Sequence, residues 1–281
     1  MNVYPKSSMR ILVISDLHVP FHDPHAIELM LRIARDVRPA VVVINGDFVD
    51  FYGISRFPVP PIRRFAFHDE IRAARSMLEF LRNKFDSWDA EVIYLSGNHE
   101  ERLRSYLWNK AKELAEIESL QMSNLLGCDL LGIRYIESLT EPRGMDEYVA
   151  PQVLVCDRLY ITHGHSIRTS GTTVNVARTV FHKVLVPMLI GHWHRTQHHE
   201  ETSYSGNTSG CWVVGCLCYP RPHYDAGRIW GQGVAVIDVK GEWFRPTLVS
   251  FFRKDDKLHA IFEGKLYTVD LRKDYNIPTF Q

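Results

Sequence analysis

Aspartate, asparagine and histidine recur in five short motifs of this 281-residue chain, and these residue types can hold metal ions. The motifs are Asp16-Leu17-His18, Gly46-Asp47-Phe48-Val49-Asp50, Gly97-Asn98-His99-Glu100, Thr162-His163-Gly164 and Gly191-His192-Trp193-His194. Mixed oxygen and nitrogen ligands suit manganese, iron, zinc or nickel, whereas a calcium site is normally all oxygen. Because two neighbouring cations can activate water against a phosphate ester, the motifs predict a two-metal centre with hydrolytic chemistry.

The motifs must be positioned by secondary structure, and three of them follow apolar runs of strand length. Residues 10–15, 40–45 and 91–96 predict strands, and amphipathic helical patterns separate them. The first helix has an N-cap at Asp23 and a proline, Pro24, at its first position. Alternating strands and helices predict a parallel sheet covered on both faces. Since ligands bind at the carboxyl ends of such strands, the motifs are expected to converge there.

The later part of the chain has a different pattern. A third helix is expected from residue 100 to about 120, and a hairpin over 153–162 leads into the Thr162-His163-Gly164 motif. From about residue 200 the pattern is β-rich, with short strand-like runs separated by turns. We therefore expect a single domain over residues 1–281 with a β-rich C-terminal half.

Composition excludes some classes of protein and leaves others open. Lysine plus arginine and aspartate plus glutamate number 33 each, so bulk charge gives no sign of nucleic-acid or membrane affinity. No apolar run reaches the length of a membrane span, and the first ten residues lack a signal core. The sequence thus predicts a cytoplasmic protein without membrane association, and it leaves the oligomeric state open.

The order Asp-x-His, Gly-Asp-x-x-Asp, Gly-Asn-His-Glu, His-Gly and Gly-His-x-His resembles the calcineurin-like metallophosphoesterase superfamily. The match runs from Asp16 to His194, and the residues within the motifs are most similar to those of small prokaryotic and phage-borne members. Each motif alone is weak, but five in order are specific. The resemblance implies an α/β fold, a four-layer α/β/β/α sandwich of two mixed sheets flanked by helices.

The resemblance also implies a role for each motif residue. For one metal it implies the ligands Asp16, His18 and His194. For the other metal it implies Asn98, His163 and His192. Asp47 is implied to bridge the two ions. A hydroxide shared by the two ions, with manganese the expected metal, is then the nucleophile. His99 is implied to protonate the leaving oxygen or to donate a hydrogen bond to the phosphate, with Asp50 orienting it.

Some residues around the motifs remain open between two interpretations. His165 competes with His163 for the ligand role or lines the pocket. The segment 51–67 holds Tyr52, Arg56 and other aromatic and arginine residues, so it forms either a substrate wall or a loop stiffened by prolines. Arg102 is a further candidate for contact with the substrate.

The sequence departs from the serine/threonine protein phosphatase branch of the superfamily. That branch carries arginine after Gly-Asp-x-x-Asp and before Gly-Asn-His, whereas this chain has Phe51 and Ser96 there. We therefore expect a phosphodiesterase acting on a nucleotide or nucleic acid. The alternatives are a phosphomonoesterase for a nucleotide or small metabolite, and a non-catalytic scaffold of the same fold that binds a partner.

Overall fold

The computed structural model of the chain describes residues 3–4, 8–55, 66–140, 148–170, 173–221 and 230–279. The strands are β1 (Val3–Tyr4), β2 (Met9–Ile14), β3 (Val41–Asn45), β4 (Glu91–Leu95), β5 (Ile133–Ile136), β6 (Leu139–Thr140), β7 (Tyr148–Val149), β8 (Gln152–Val155), β9 (Leu159–Thr162), β10 (Met188–Ile190), β11 (Gln197–Thr202), β12 (Thr208–Val213), β13 (Gly233–Lys240), β14 (Trp243–Ser250), β15 (Phe252–Lys254), β16 (Lys257–Phe262) and β17 (Lys265–Asp270). The α-helices are α1 (Pro24–Val37), α2 (Phe67–Asp86), α3 (Glu100–Lys110), α4 (Met122–Leu126) and α5 (Val176–Val184).

Most described strands form two mixed sheets. The first sheet has the order β14-β13-β2-β3-β4-β5, with β2 to β5 parallel and β13 antiparallel to β2. The second has the order β1-β8-β9-β10-β12-β11, with β9, β10 and β12 parallel to one another. The predicted hairpin is the antiparallel pair of β8 and β9. The parallel strands β2, β3 and β4 of the first sheet and β9 and β10 of the second lead into the motifs, which sets where the functional groups can meet.

The two sheets pack face to face and helices cover their outer faces. Strand alternation sends Ile11, Val43 and Ile93 of the first sheet into one apolar core with Val153 and Leu189 of the second. The other face of the first sheet packs on α1 and α2, and the outer face of the second packs on α5. These are the four layers that the resemblance implies, so the predicted fold class is confirmed.

Local sequence explains where α1 begins and ends. The Asp23 side chain accepts a hydrogen bond from the backbone N–H of His25, and Pro24 occupies the first turn. The helix buries a continuous apolar stripe against the sheet and ends at Arg38, which has a left-handed φ of 46°. A proline follows at position 39, and the chain then enters β3.

Two predictions about the later segments need comment. The third helix is shorter than expected. It ends at Lys110, and Ala111 has a non-helical backbone conformation. The helix is short because only Leu103 and Leu107 supply apolar side chains to its buried face. The C-terminal half does not stand apart, since β13 and β14 complete the first sheet. That arrangement is consistent with one domain, which stays a prediction. In the described ranges, no helix combines the length and apolarity needed to cross a membrane.

Candidate metal centre

The ends of the parallel strands bring the motif residues together between the two sheets. Asp16 and His18 follow β2, and Asp47 follows β3. His163 follows β9, and the Gly191 motif follows β10 in the opposite sheet. Asp16 and His163 are fully buried and Asp47 is 1% exposed, so these polar groups lie in a low-dielectric interior. Groups 176 residues apart in sequence meet here, as Asp16 and His192 do.

One set of candidate ligands, the first ligand group, consists of Asp16, His18 and His194. The Nε2 atom of His194 lies 3.0 Å from Asp16 Oδ1 and 3.1 Å from His18 Nε2. The Nε2 atom of His18 lies 3.8 Å from the same aspartate oxygen. Three ligand atoms thus converge on one point, in the spacing that a single divalent cation requires.

The other set, the second ligand group, consists of Asn98, His163 and His192. Asn98 Oδ1 and His192 Nδ1 are buried and make no hydrogen bond, and the buried Nε2 atom of His163 faces Asp47 Oδ2 at 3.1 Å. The opposite ring nitrogen of His163 is fixed by the carbonyl oxygen of Asn45 at 2.7 Å, so Nε2 faces the centre. An unsatisfied buried polar atom costs about 1–3 kcal/mol, so such atoms in motif residues indicate a binding partner that accepts lone pairs. A cation fits that description.

Asp47 faces both groups. Its Oδ2 atom lies 3.1 Å from His163 Nε2 and 4.0 Å from His18 Nε2. Its Oδ1 atom accepts a hydrogen bond from the backbone N–H of His99 at 2.9 Å, which fixes the carboxylate plane. Asp47, His163 and His192 also form a convergent set of ligand atoms. The geometry therefore suits a carboxylate shared between two ions.

Electrostatics hold the two buried carboxylates in the ionised form that metal binding needs. Burial alone raises the pKa of Asp47, but the neighbouring His163 and His99 more than offset it and hold the pKa well below its usual value. Burial likewise opposes ionisation of Asp16, and His194 and His18 hold its pKa low.

The pKa values of the two imidazoles in the second ligand group are shifted in opposite directions. Burial lowers the pKa of His163, but attraction to Asp47 outweighs it and raises the value to about 9. Burial, together with repulsion from His163, lowers the pKa of His192 to about 3. His192 is thus already neutral at pH 7, and His163 must lose a proton to become a ligand.

Several candidate ligands have left-handed backbone conformations. Positive φ values are found at Asp16 (56°), His18 (50°), Asp47 (49°), His192 (69°) and His194 (50°). Such values are uncommon outside glycine and are most often tolerated by Asp, Asn and His, so the ligand types suit the tight turns after each strand. Backbone strain concentrated in one place is typical of a functional site.

Two motif glycines are required by close packing at the centre. A Cβ on Gly97 would lie 2.2 Å from Asp47 Oδ1, and one on Gly191 would lie 2.1 Å from Ser15 Oγ. Both distances are far inside van der Waals contact. Gly97 therefore lets the loop after β4 approach the loop that carries Asp47 in the same sheet, and Gly191 lets the loop after β10 of the second sheet approach the end of β2 in the first.

Asp50 contacts histidines on both sides of it. Its Oδ1 atom lies 2.9 Å from His18 Nδ1 and 3.3 Å from His99 Nδ1. The resemblance implied only the contact with His99, so the contact with His18 extends the predicted role of Asp50. A carboxylate behind a metal-binding imidazole fixes the orientation and tautomer of the ring.

His99 is held between Asp50 and Arg102. Its Nδ1 atom lies 2.8 Å from the carbonyl oxygen of Asp50, and its Nε2 atom lies 2.8 Å from the Arg102 guanidinium. Arg102 also donates a hydrogen bond to the same carbonyl at 2.7 Å. Because a guanidinium only donates, His99 Nε2 is the acceptor and the ring proton lies on Nδ1. Arg102, a predicted substrate residue, is thus placed beside the predicted proton donor.

Glu100 has a role that sequence reasoning missed. Its buried carboxylate accepts hydrogen bonds from the backbone N–H groups of Asp47, Phe48, Val49 and Gly97 and from the Tyr94 hydroxyl. It therefore organises the turn that carries Asp47. The spacing Gly97-x-x-Glu100, in which a side chain reaches back three residues as in a capping box, is the signal that could have revealed it.

The structure separates the two histidines that competed for one ligand role. His163 Nε2 lies 3.1 Å from Asp47 Oδ2, whereas His165 Nε2 lies 3.4 Å from Glu101 Oε2. The His165 ring remains near the centre, 5.5 Å from the ring of His163. The geometry thus supports His163 as the ligand and places His165 at the border of the site.

Of the other predicted substrate residues, Tyr52 lies within the described part of the chain and Arg56 does not. Tyr52 is buried, its ring lies 5.7 Å from that of Phe21, and its backbone N–H donates to Glu70. Arg56 and the rest of the segment 56–65 lie outside the described residues. Sequence reasoning missed Trp230, whose ring centroid lies 3.8 Å from that of His194.

The model of the calcineurin-like phosphoesterase family matches residues 9–211, and the chain belongs to this family. A phage relative, the gene 54 protein of Mycobacterium phage L5, is 30% identical over 254 residues, which are 86% of this chain and 93% of that protein. Family membership and the convergent ligand groups support a metal-dependent phosphoesterase, in the class of hydrolases.

Solved structures of two proteins were also found to be similar. Vps29 from Entamoeba histolytica has 13% identity and a TM-score of 0.40, with 93% of this chain and 99% of that chain covered. The phosphoesterase YfcE from E. coli has 15% identity and a TM-score of 0.37, with 94% and 100% covered.

Proposed function

We propose that this chain is a dinuclear metal-dependent phosphoesterase that hydrolyses phosphodiesters. The observation that carries the proposal is the convergence of His163 and His192 on Asp47, a carboxylate that also faces the first ligand group. The buried atoms Asn98 Oδ1 and His192 Nδ1 have no hydrogen bond. Two ions sharing Asp47 would satisfy these atoms. The family membership of the chain supports the same chemistry.

The donor set indicates which ions fit. Each ligand group offers one oxygen and two imidazole nitrogens, and Asp47 adds a shared carboxylate. This mixture suits manganese, which we propose, and also iron, zinc or nickel. When bound, such a pair lowers the pKa of a water molecule and offsets negative charge on phosphate oxygens.

The protein's own residues then bind the ester and move a proton. Arg102 donates to His99 Nε2 in the absence of substrate, and a phosphate oxygen is a stronger acceptor for the same guanidinium. Movement of the Arg102 guanidinium to the phosphate would free His99 Nε2 to take up a proton from solvent and pass it to the leaving oxygen, which returns the ring to the neutral form with its proton on Nδ1. Asp50, in contact with the other ring nitrogen, keeps the ring in place.

The preference for diesters is supported by what occupies the two phosphatase arginine positions. Phe51 is fully buried and packs on Phe67 with ring centroids 5.0 Å apart. Ser96 Oγ is buried and accepts a hydrogen bond from the backbone of Ser138. Neither position supplies a cation, and a monoester dianion needs more positive charge than a diester monoanion. Nucleotides and nucleic acids are therefore the proposed substrates.

A comparison of two chromogenic esters tests the preference. Protein supplied with manganese is expected to hydrolyse bis-p-nitrophenyl phosphate faster than p-nitrophenyl phosphate at equal concentration. Activity on the monoester alone would replace the diester proposal with a phosphomonoesterase. Protein that is purified without chelator, contains no metal and stays inert with added manganese would indicate a scaffold.

The role of His99 has its own test. His99→Asn is expected to lower turnover by about 100-fold or more, because a positioned proton donor contributes about 10²–10⁴-fold. Metal content, measured by elemental analysis, is expected to stay unchanged. His198→Asn, at an exposed position on β11, is the control that keeps full activity. Full turnover by His99→Asn with undiminished metal would show that His99 is not the proton donor.

A further inference from the structure

A separate cluster of side chains of metal-ligand type lies on the surface beside the second sheet. His182 comes from the last turn of α5, and His199 and Glu201 come from β11. The Nε2 atoms of His182 and His199 lie 3.0 Å and 2.8 Å from the same oxygen, Glu201 Oε1. The three ligand atoms therefore converge on one point, as those of the first ligand group do.

The fold positions this cluster rigidly. Residues two apart on a strand share a face, so His199 and Glu201 point to the same side of β11, where α5 packs. β11 is paired along its whole length with β12, which fixes its backbone. The Phe181 ring lies 5.8 Å from both the His182 ring and the His199 ring. The two imidazoles thus rest against a common aromatic support and need little ordering to bind an ion.

We propose that His182, His199 and Glu201 form a separate surface site for a transition-metal ion of the zinc, nickel, copper or cobalt class. Two imidazole nitrogens and one carboxylate oxygen are a ligand set that such ions accept, with a fourth position left to water. The His182 and Glu201 side chains are 46% and 44% exposed, so an ion can enter from solvent without opening the fold. This proposal does not depend on the proposed hydrolytic function.

The position of the cluster indicates what a bound ion would do. Along the chain, α5 and β11 flank β10 and the turn that carries His192 and His194. Gln197 already ties the start of α5 to β11, since its side chain accepts from Val176 N–H and donates to the Val174 carbonyl. An ion at the cluster would tie the other end of α5 to the same strand. The segment that carries two candidate ligands of the buried centre would then be braced at both ends.

Metal titration of the full chain tests the site. The buried centre is first disabled by Asp16→Asn with Asp47→Asn, metals are stripped with chelator, and Co²⁺ is added while visible absorption is recorded. One equivalent is expected to bind. His182→Ala, His199→Ala and Glu201→Gln are each expected to weaken this binding by more than about 10-fold, because each removes one of three ligands. His198→Ala, next to His199 on the opposite face of β11, is expected to bind as the parent does.

Equal Co²⁺ binding by the parent and the three ligand variants, or no binding by the parent, would overturn the proposal. If the double variant fails to fold, the intact chain is loaded with Zn²⁺, desalted and analysed for metal. His199→Ala is then expected to hold one ion fewer than the parent, with an unchanged circular dichroism spectrum. An equal metal content would likewise overturn the site.

Discussion

The two ligand groups of the buried centre differ in how their polar atoms are satisfied. In the first group, Asp16, His18 and His194 are within 3.0–3.8 Å of one another, and Asp16 also bonds Ser15 Oγ and the backbone of His192. In the second group, Asn98 Oδ1 and His192 Nδ1 are buried without a hydrogen bond, and His163 Nε2 faces only the carboxylate that the two groups share. The first group is therefore satisfied by the protein itself, whereas the second is complete only with an ion. Metal should stabilise the second group more.

The largest effect is expected from substitution of Asp47, the residue that the two groups share. Asp47→Asn is expected to lower phosphodiester hydrolysis by more than about 1000-fold, because it weakens both proposed ion positions at once. Elemental analysis of the variant should show loss of both ions, with Asp255→Asn in an exposed turn as the control. Loss of a single ion would show that the two groups do not depend on a common carboxylate.

Glu100 supports the same shared residue from behind. Glu100→Gln is expected to lower the free energy of unfolding by about 2–4 kcal/mol, because an amide cannot accept all the N–H groups that now bind the carboxylate. Metal affinity should fall by about 10–100-fold as the Asp47 turn loosens. Urea unfolding and metal titration measure the two effects, and Glu113→Gln, at an exposed position, is the control. Unchanged metal affinity would limit Glu100 to a stabilising role.

Alanine substitutions in metal-free protein compare the two groups directly. Asp16→Ala is expected to lower the free energy of unfolding by about 1–3 kcal/mol, because it removes hydrogen bonds that exist without metal. Asn98→Ala is expected to change it by less than about 0.5 kcal/mol, since the Asn98 oxygen has no hydrogen bond to lose.

Manganese then extends the comparison. Manganese at 100 times its dissociation constant should raise the free energy of unfolding of the parent protein by about 2.7 kcal/mol. Asn98→Ala should lose part of that gain. Thermal unfolding with chelator and with manganese gives both numbers. If both variants are equally destabilised without metal, the difference between the groups disappears.

The last comparison concerns His22, a buried histidine outside the centre. Its Nδ1 atom also lacks a hydrogen bond, but the convergent ligand sets of the described residues do not include it. Burial lowers its pKa from 6.5 to about 4. The unfolded chain therefore binds the proton first, and stability should fall as pH drops from 6.5 to 4, by an amount on the order of 3 kcal/mol.

Urea unfolding across this pH range, with and without manganese, measures the contribution of His22. His22→Gln should flatten the profile, and manganese should leave the His22 contribution unchanged. A manganese-dependent contribution would mean that a single unsatisfied imidazole behaves like the second ligand group.

Short-range pattern was enough to predict the strands and the residues of the centre. Apolar runs bounded by turns fixed β2, β3 and β4, and the ends of parallel strands must lie at one edge of a sheet. Asp16 and Asp47 could therefore be expected to lie close together, whereas the approach of His163 from the second sheet depends on how the sheets pack. The end of α3 at Lys110 could not, because the charged residues that follow still allow a helix by their propensity alone.

Sequence by itself thus determined the types and order of the candidate ligands, since residue chemistry and strand spacing are local properties of the chain. Tertiary structure alone decided the contacts that depend on how the two sheets pack. These include His163 against Asp47 and Trp230 against His194. The meeting of His182 with Glu201 likewise depends on how α5 packs on β11. Such contacts join residues whose separation in sequence carries no periodic signal, so only packing of the folded chain brings them together.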